Sequence, residues 1–198
     1  MDMNVTNLLQ VDWSAIPAPV DDGATAHLFG SAVPSVPLPA TDGSIVDISA
    51  LKGTTVVYAY PMTGRPGVPL PDGWDMLPGA RGCTPQSCGF RDHFADLKIL
   101  GADHLFGLST QSSDYQREAA ERLHLPFRIL SDSQLALAHA WQLPVFEIDG
   151  MQLLKRVTLI ITDGQFEAVF YPVFPPDRSA ADVIDWLSRH PRAAARND

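Results

Sequence analysis

Cys83 and Cys88 are the two cysteines of a 198-residue chain, five positions apart in GCTPQSCGFRDH (82–93). A thiolate can attack an electrophile, exchange with a disulfide or bind a soft metal ion. Zinc sites favour a shorter C-x₂₋₄-C spacing and need further Cys or His ligands. His93 is the nearest candidate and reads as a helix-surface residue; the other five histidines are scattered. No metal or other cofactor is expected, and the pair reads as redox-active. The bland alternative for Cys83 is a core cysteine, since free Cys is among the most buried residue types.

The elements around the pair say how it would be positioned. TTVVYAY (54–60) is a short apolar run rich in β-branched and aromatic residues, which predicts a strand buried on both faces at the centre of an α/β sheet. A Pro- and Gly-rich segment, 61–82, follows, and then a helix. Phe90, Phe94 and Leu97 form an apolar stripe at helical period, and extending it back by seven places Cys83 on the core side. Cys88 shares a face with Arg91, Asp92 and Ala95, nearer solvent. Cys83 thus sits beyond the carboxyl end of a strand and at a helix N-terminus, where free N–H groups and the helix dipole stabilise an anion. On a regular helix two Cα atoms five residues apart are roughly 8–9 Å apart. A disulfide needs less than about 7 Å. Bond formation would require the first turns to unwind, which suits a bond made and broken in turnover.

The rest of the chain alternates. Strands are expected at 44–49, 104–110 and 126–132, helices at 113–123 and 133–141, and a hairpin at 156–162 and 165–174 about TDGQ. Ser179 opens a last helix, with Asp182 placed for a capping box and Val183, Ile184 and Leu187 facing inward. This order predicts an α/β sandwich with a mixed central sheet. Residues 1–26, with Leu8, Leu9, Trp13 and Ile16, read as an arm packed on the surface, 27–190 as the domain and 191–198 as a tail. The net charge of −9, with no Lys/Arg run, excludes nucleic acid and anionic membrane surfaces as partners. No stretch approaches the roughly 20 apolar residues of a membrane helix. The first residues lack the features of a secretory signal, which predicts a reducing, cytoplasmic setting in which a structural disulfide is disfavoured.

GCTPQSCGFRDH resembles the active-site segment of the peroxiredoxins, specifically the peroxiredoxin Q or bacterioferritin-comigratory-protein type. The likeness extends through VPLPATDGSIVDISALKGTTVVYAYP (36–61), FGLSTQS, LPFRILSDSQLALAHAWQL and RVTLIITDGQ, covering about residues 27 to 190. It implies a thioredoxin-like fold and a thiol peroxidase of hydrogen peroxide and organic hydroperoxides. By that resemblance Cys83 becomes a sulfenic acid, Cys88 resolves it as an intramolecular disulfide, and thioredoxin or a similar dithiol restores both thiols. Arg156 matches the arginine that stabilises the thiolate and the polarised peroxide. Arg81 is a rival cation, Arg91 a structural one.

The chain departs from the family at one place. A Pro and a Thr or Ser stand seven and three residues before the peroxidatic cysteine in the family; here those positions are Met76 and Ala80. About fifteen residues are inserted after Tyr60-Pro61, and Pro61 and Thr63 are the candidates to fold back into the vacant places. The insertion, 64–80, reads as a lid, a partner contact or a tolerated surface loop. A monomer and a homodimer both remain open. The alternative function on the same fold is a thiol–disulfide oxidoreductase or redox-sensing module with little peroxidase activity.

Overall fold

A computed structural model describes residues 11–191. Its centre is a mixed five-stranded sheet in the order β5-β4-β3-β8-β9. β3 (Thr54–Ala59) lies between β4 (Ala102–Ser109) and β8 (Val157–Thr162). It runs parallel to β4 and antiparallel to β8; β5 (Arg128–Ser131) extends the parallel side and β9 (Gln165–Phe170) the antiparallel one. All six residues of β3 are buried, as the continuous apolar run requires.

Strand alternation divides the core into two layers. Val56, Tyr58 and Tyr60 face the helices α1 (Cys83–Asp92), α2 (Phe94–Ile99) and α5 (Ser179–Arg189), packing with Phe90, Leu97, Val183 and Leu187. Val57 and Ala59 face the opposite layer, with Leu137 and Trp141 among its members. Each large apolar side chain so buried contributes roughly 1.5–3 kcal/mol before its entropy cost. Gly107 on β4 leaves room for Tyr58: a Cβ there would lie 2.9 Å from the tyrosine oxygen. The Tyr58 ring stacks on Phe90 with centroids 4.4 Å apart, which fixes α1 against the sheet.

Several local expectations are corrected. The helix expected to run from Cys83 through Leu97 is two helices, broken at His93 (φ −99°, ψ 11°). The strand at 44–49 shrinks to β2 (Ile45–Val46), paired with β1 (Leu38–Pro39) and followed by a 3-10 turn in which Asp47 caps Ser49. The helix at 133–141 is the short α4 (Ala136–Ala140), because both Asp132 carboxylate oxygens accept N–H bonds, from Leu137 and Ala138, and Leu135 takes a positive φ. α3 (Ser113–Arg122) matches its expected place, capped by Ser112. Ser179 opens α5 but makes no cap bond; its hydroxyl turns inward to Thr158 and Gln86.

A second hairpin, β6 (Val145–Ile148) with β7 (Met151–Leu154), was not expected. The insertion packs on it. Trp74, buried, joins Ala80 and Leu153 in a small cluster flanked by Met62, Leu77, Phe146 and Ile148. Leu8 and Leu9 and the tail beyond 191 lie outside the described residues.

Candidate active site

Cys83 is the first residue of α1, preceded by Gly82 in a left-handed conformation (φ +103°). Its Sγ lies 3.5 Å from the Ala80 carbonyl and 3.2 Å from Arg156 Nη2. Both side chains are inside the molecule, Cys83 at 4% exposure and Arg156 at 3%. The guanidinium is held by a ring of acceptors. Nη2 donates to the carbonyls of Gly79, Ala80 and Arg81, at 3.2–3.3 Å, and Nη1 donates to Gln86 Oε1.

Among the described residues no carboxylate lies within ion-pair distance of Arg156. A buried cation without an acid demands another anion, because an unpaired charge in a low-dielectric interior is costly. The Cys83 sulfur, at 3.2 Å, is the nearest group that can carry negative charge against that guanidinium when it reacts.

Gln86 was missed by sequence reasoning. It is fully buried one turn after Cys83, accepts from Arg156 and donates through Nε2 to Ser179 Oγ at 3.2 Å, and Ser179 meets Thr158 Oγ1 at 2.9 Å. This chain of bonds links β8, α5 and α1 behind the sulfur. The available signal was its place: Gln86 lies at i+3 from Cys83, a polar residue on the core face of an apolar stripe.

Cys88 is not near solvent; it is 7% exposed. Arg91 reaches across its side of the helix to the Leu123 carbonyl at 2.9 Å, and Arg122 holds the Gly64 carbonyl at 3.1 Å. The end of α3 and the start of the insertion therefore close over a face that helical period alone leaves open. Burial pushes the Cys88 thiol up, against the opposing charges of Arg91 and Arg122. Both cysteines are free thiols within one continuous helix.

The other named residues bond to groups other than the sulfur. Arg81 pairs with Asp75 at 3.7 Å, and Arg91 pairs with Asp92 at 2.8 Å while also holding the Leu123 carbonyl. His93 faces Asp96 at 3.2 Å on the helix surface. Thr63 is buried, but its N–H and hydroxyl both go to Gln111 Oε1, at 3.0 and 3.3 Å. Its hydroxyl proton is thereby taken by Gln111. A cavity of about 120 Å³ abuts Arg156, lined in part by Pro19, Gly79, Phe146, Tyr171 and Pro172.

A cysteine at a helix N-terminus, in contact with a buried arginine beside the carboxyl end of the central strand of a thioredoxin-like sheet, is the arrangement of a redoxin. The redoxin family pattern matches residues 29–184. Peroxiredoxin Bcp of Escherichia coli K12 is 31% identical over 166 residues, covering 81% of this chain and 96% of that protein. The chloroplastic peroxiredoxin Q of Oryza sativa subsp. japonica is 28% identical over 159 residues; the match covers 80% of this chain but only 65% of the rice protein's length. Among solved structures, peroxidoxin BcpB of Mycobacterium tuberculosis superposes with a TM-score of 0.66 at 26% identity, over 84% of this chain and 99% of that one. Peroxiredoxin Q of Xanthomonas campestris shares the fold, with a TM-score of 0.63 at 20% identity over 88% and 98% of the two chains. The chain belongs to the redoxin family and, within it, to the peroxiredoxin Q/Bcp type.

Proposed function

We propose that the protein is a thiol peroxidase in which Cys83 is the peroxidatic cysteine, Cys88 the resolving one and Arg156 the activating cation. The observation that carries this reading is the 3.2 Å contact between Cys83 Sγ and a buried arginine that has no acidic partner among the described residues. The Cys83 thiolate attacks the distal oxygen of ROOH, the O–O bond breaks, and the alkoxide leaves as ROH after taking a proton. Arg156 stabilises the charge that develops on the departing oxygen. The Cys88 thiolate then displaces the sulfenic hydroxyl, which takes up a proton and leaves as water, giving a Cys83–Cys88 disulfide. An external dithiol of the thioredoxin kind reduces it through a mixed disulfide.

Hydrogen peroxide and organic hydroperoxides are the substrates, and the cavity beside Arg156 is the entry we assign to them. The bacterioferritin comigratory protein of Xanthomonas campestris, which shares this fold, has alkyl peroxide reduction activity. No helix among the described residues is long and apolar enough to cross a membrane. We place the reaction in the cytoplasm, where the dithiol reductant is available, and assign it to the domain 27–190.

Peroxide consumption in the presence of a dithiol reductant tests the proposal. The wild-type chain turns over, Cys83→Ser abolishes consumption, and Cys88→Ser still forms a sulfenic acid on Cys83 but does not close the cycle. Oxidation of Cys83 no faster than that of a free thiol would overturn the reading.

A further inference from the structure

The segment ahead of the domain touches the active-site helix at its most sensitive point. Trp13, in the 3-10 turn Trp13–Ala15, donates its indole N–H to Asp177 Oδ2 at 2.8 Å and meets Phe174 edge-on, with centroids 6.0 Å apart. The far edge of its ring rests on Gly82. A Cβ at Gly82 would lie 2.7 Å from Trp13 Cη2 and 2.7 Å from Pro176 Cγ, so the residue before Cys83 is gripped from two sides. Three further contacts tie the arm down. Pro19 packs over Gly79, and Asp22 accepts from Lys155 at 2.7 Å and from the Tyr171 hydroxyl at 2.8 Å.

Gly82 is also the anchor of the helix. Its carbonyl accepts the Gln86 N–H at 3.0 Å, a bond of the first turn of α1. The Cα atoms of Cys83 and Cys88 stand roughly 8–9 Å apart on a regular helix, beyond disulfide reach. The first turn must therefore open before the two sulfurs can join. Opening the turn at its Gly82 end displaces Gly82, and Trp13 and Pro176 stand against that displacement.

We propose that Trp13 is a positioning residue for the thiol chemistry: it keeps the first turn of α1 wound and so sets how the oxidised Cys83 is partitioned. The inference rests on the peroxidase reading above. The Cys83 sulfenic acid has two competing fates. The Cys88 thiolate can displace its hydroxyl, which takes up a proton and leaves as water, or the sulfenate can attack a second peroxide molecule, cleaving its O–O bond, releasing ROH and becoming a sulfinic acid. The first fate needs the unwound turn and the second does not. A residue that favours the wound form slows the first and lengthens exposure to the second.

The test uses the full-length reduced chain mixed rapidly with hydrogen peroxide, with Cys83 products resolved by mass spectrometry. In Trp13→Ala the disulfide forms roughly five- to tenfold faster than in wild type, and the peroxide concentration giving half sulfinic acid rises by a similar factor. Trp13→Phe, whose shorter ring keeps part of the packing but neither reaches Gly82 nor bonds Asp177, gives a partition between the two. Hydrogen exchange on the wild-type chain adds a readout that needs no variant: the hydrogen-bonded amides of Ser14, Ala15 and Ile16 lose protection in the Cys83–Cys88 disulfide form. An unchanged partition in Trp13→Ala, or equal protection of the arm in both redox forms, overturns the proposal. A wild-type chain that forms no disulfide at all would instead overturn the peroxidase reading, so the two failures are distinguishable.

Discussion

Arg156 Nη2 stands 3.2 Å from Cys83 Sγ, closer than the sulfur is to the Ala80 carbonyl that shares the same guanidinium. The pairing is enforced from behind, since the arginine's other acceptors are neutral oxygens. Replacing it by glutamine removes the cation and the fork of donors together. Arg156→Gln is expected to lower the rate constant for Cys83 oxidation by about a hundredfold or more. Arg156→Lys keeps the charge without the fork and falls between the two. Rapid mixing with hydrogen peroxide measures both.

Gln86 offers a sharper test of the same charge balance. Its Oε1 faces Arg156 Nη1, so Gln86→Glu would hand the guanidinium the carboxylate it now lacks. The new anion competes with the sulfur for the arginine and repels a thiolate one turn away. Peroxide oxidation at neutral pH should slow by at least tenfold. A variant as fast as wild type would mean that the buried arginine does not depend on the sulfur for its counter-charge.

What the sequence made legible follows from which forces are local. β3 was readable because burial on both faces leaves an unbroken apolar run. Cys83 was readable because strand, loop and helix start follow one another along the chain, whereas Arg156, 73 residues away, came from family resemblance alone. The exposure of Cys88 was misread because helical period locates a face but not what leans on it; Arg91, Arg122 and the start of the insertion arrive from elsewhere in the chain. The hairpin at Val145–Leu154 carried an Asp149-Gly150 turn signal, but its strands are short and half-exposed and gave no clean alternation. Trp13 looked like one apolar residue in an irregular arm; its partner Asp177 is 164 positions away.

The shift at Cys88 has a kinetic consequence. With burial holding its thiol up, the nucleophilic thiolate is a minority species at neutral pH. Disulfide formation, measured after sulfenic acid is already made, should accelerate by up to about tenfold per pH unit through the ordinary thiol range. Arg91→Ala removes an opposing cation, so the same profile should move to higher pH. Folding feels the shift with the opposite sign. A folded-state value above the unfolded one favours the protonated native form, so this contribution is complete below the ordinary thiol range and fades as pH rises through the folded value.

Packing of α1 can be tested away from the sulfur. Gly107 faces Tyr58, whose ring is stacked on Phe90 and Tyr60 and edge-on to Phe127, with its hydroxyl donating to Ser87 on α1 at 3.1 Å. A methyl group 2.9 Å from the phenol oxygen has nowhere to push it. Gly107→Ala should destabilise the fold by about 1–3 kcal/mol in urea denaturation. A neutral result would mean that the Tyr58 layer is looser than its burial implies.

The missing family hydroxyl invites restoration, and the structure argues against success. Ala80 occupies the position three before Cys83, yet its side chain is fully buried in a cluster with Trp74 and Leu153, where the insertion packs on the β6–β7 hairpin. Its contribution to the sulfur comes from the backbone carbonyl, which lies 3.5 Å from Cys83 Sγ and accepts from Arg156. Ala80→Thr would therefore press a methyl and a hydroxyl into an apolar cluster. The overpacking should cost about 1–3 kcal/mol. An unpaired hydroxyl would add to that. The expected outcome is a lower urea midpoint with no gain in the rate of Cys83 oxidation. A folded Ala80→Thr variant that oxidises faster than wild type would place the new hydroxyl beside the sulfur, and would mean that the Trp74 cluster yields where its burial says it should hold.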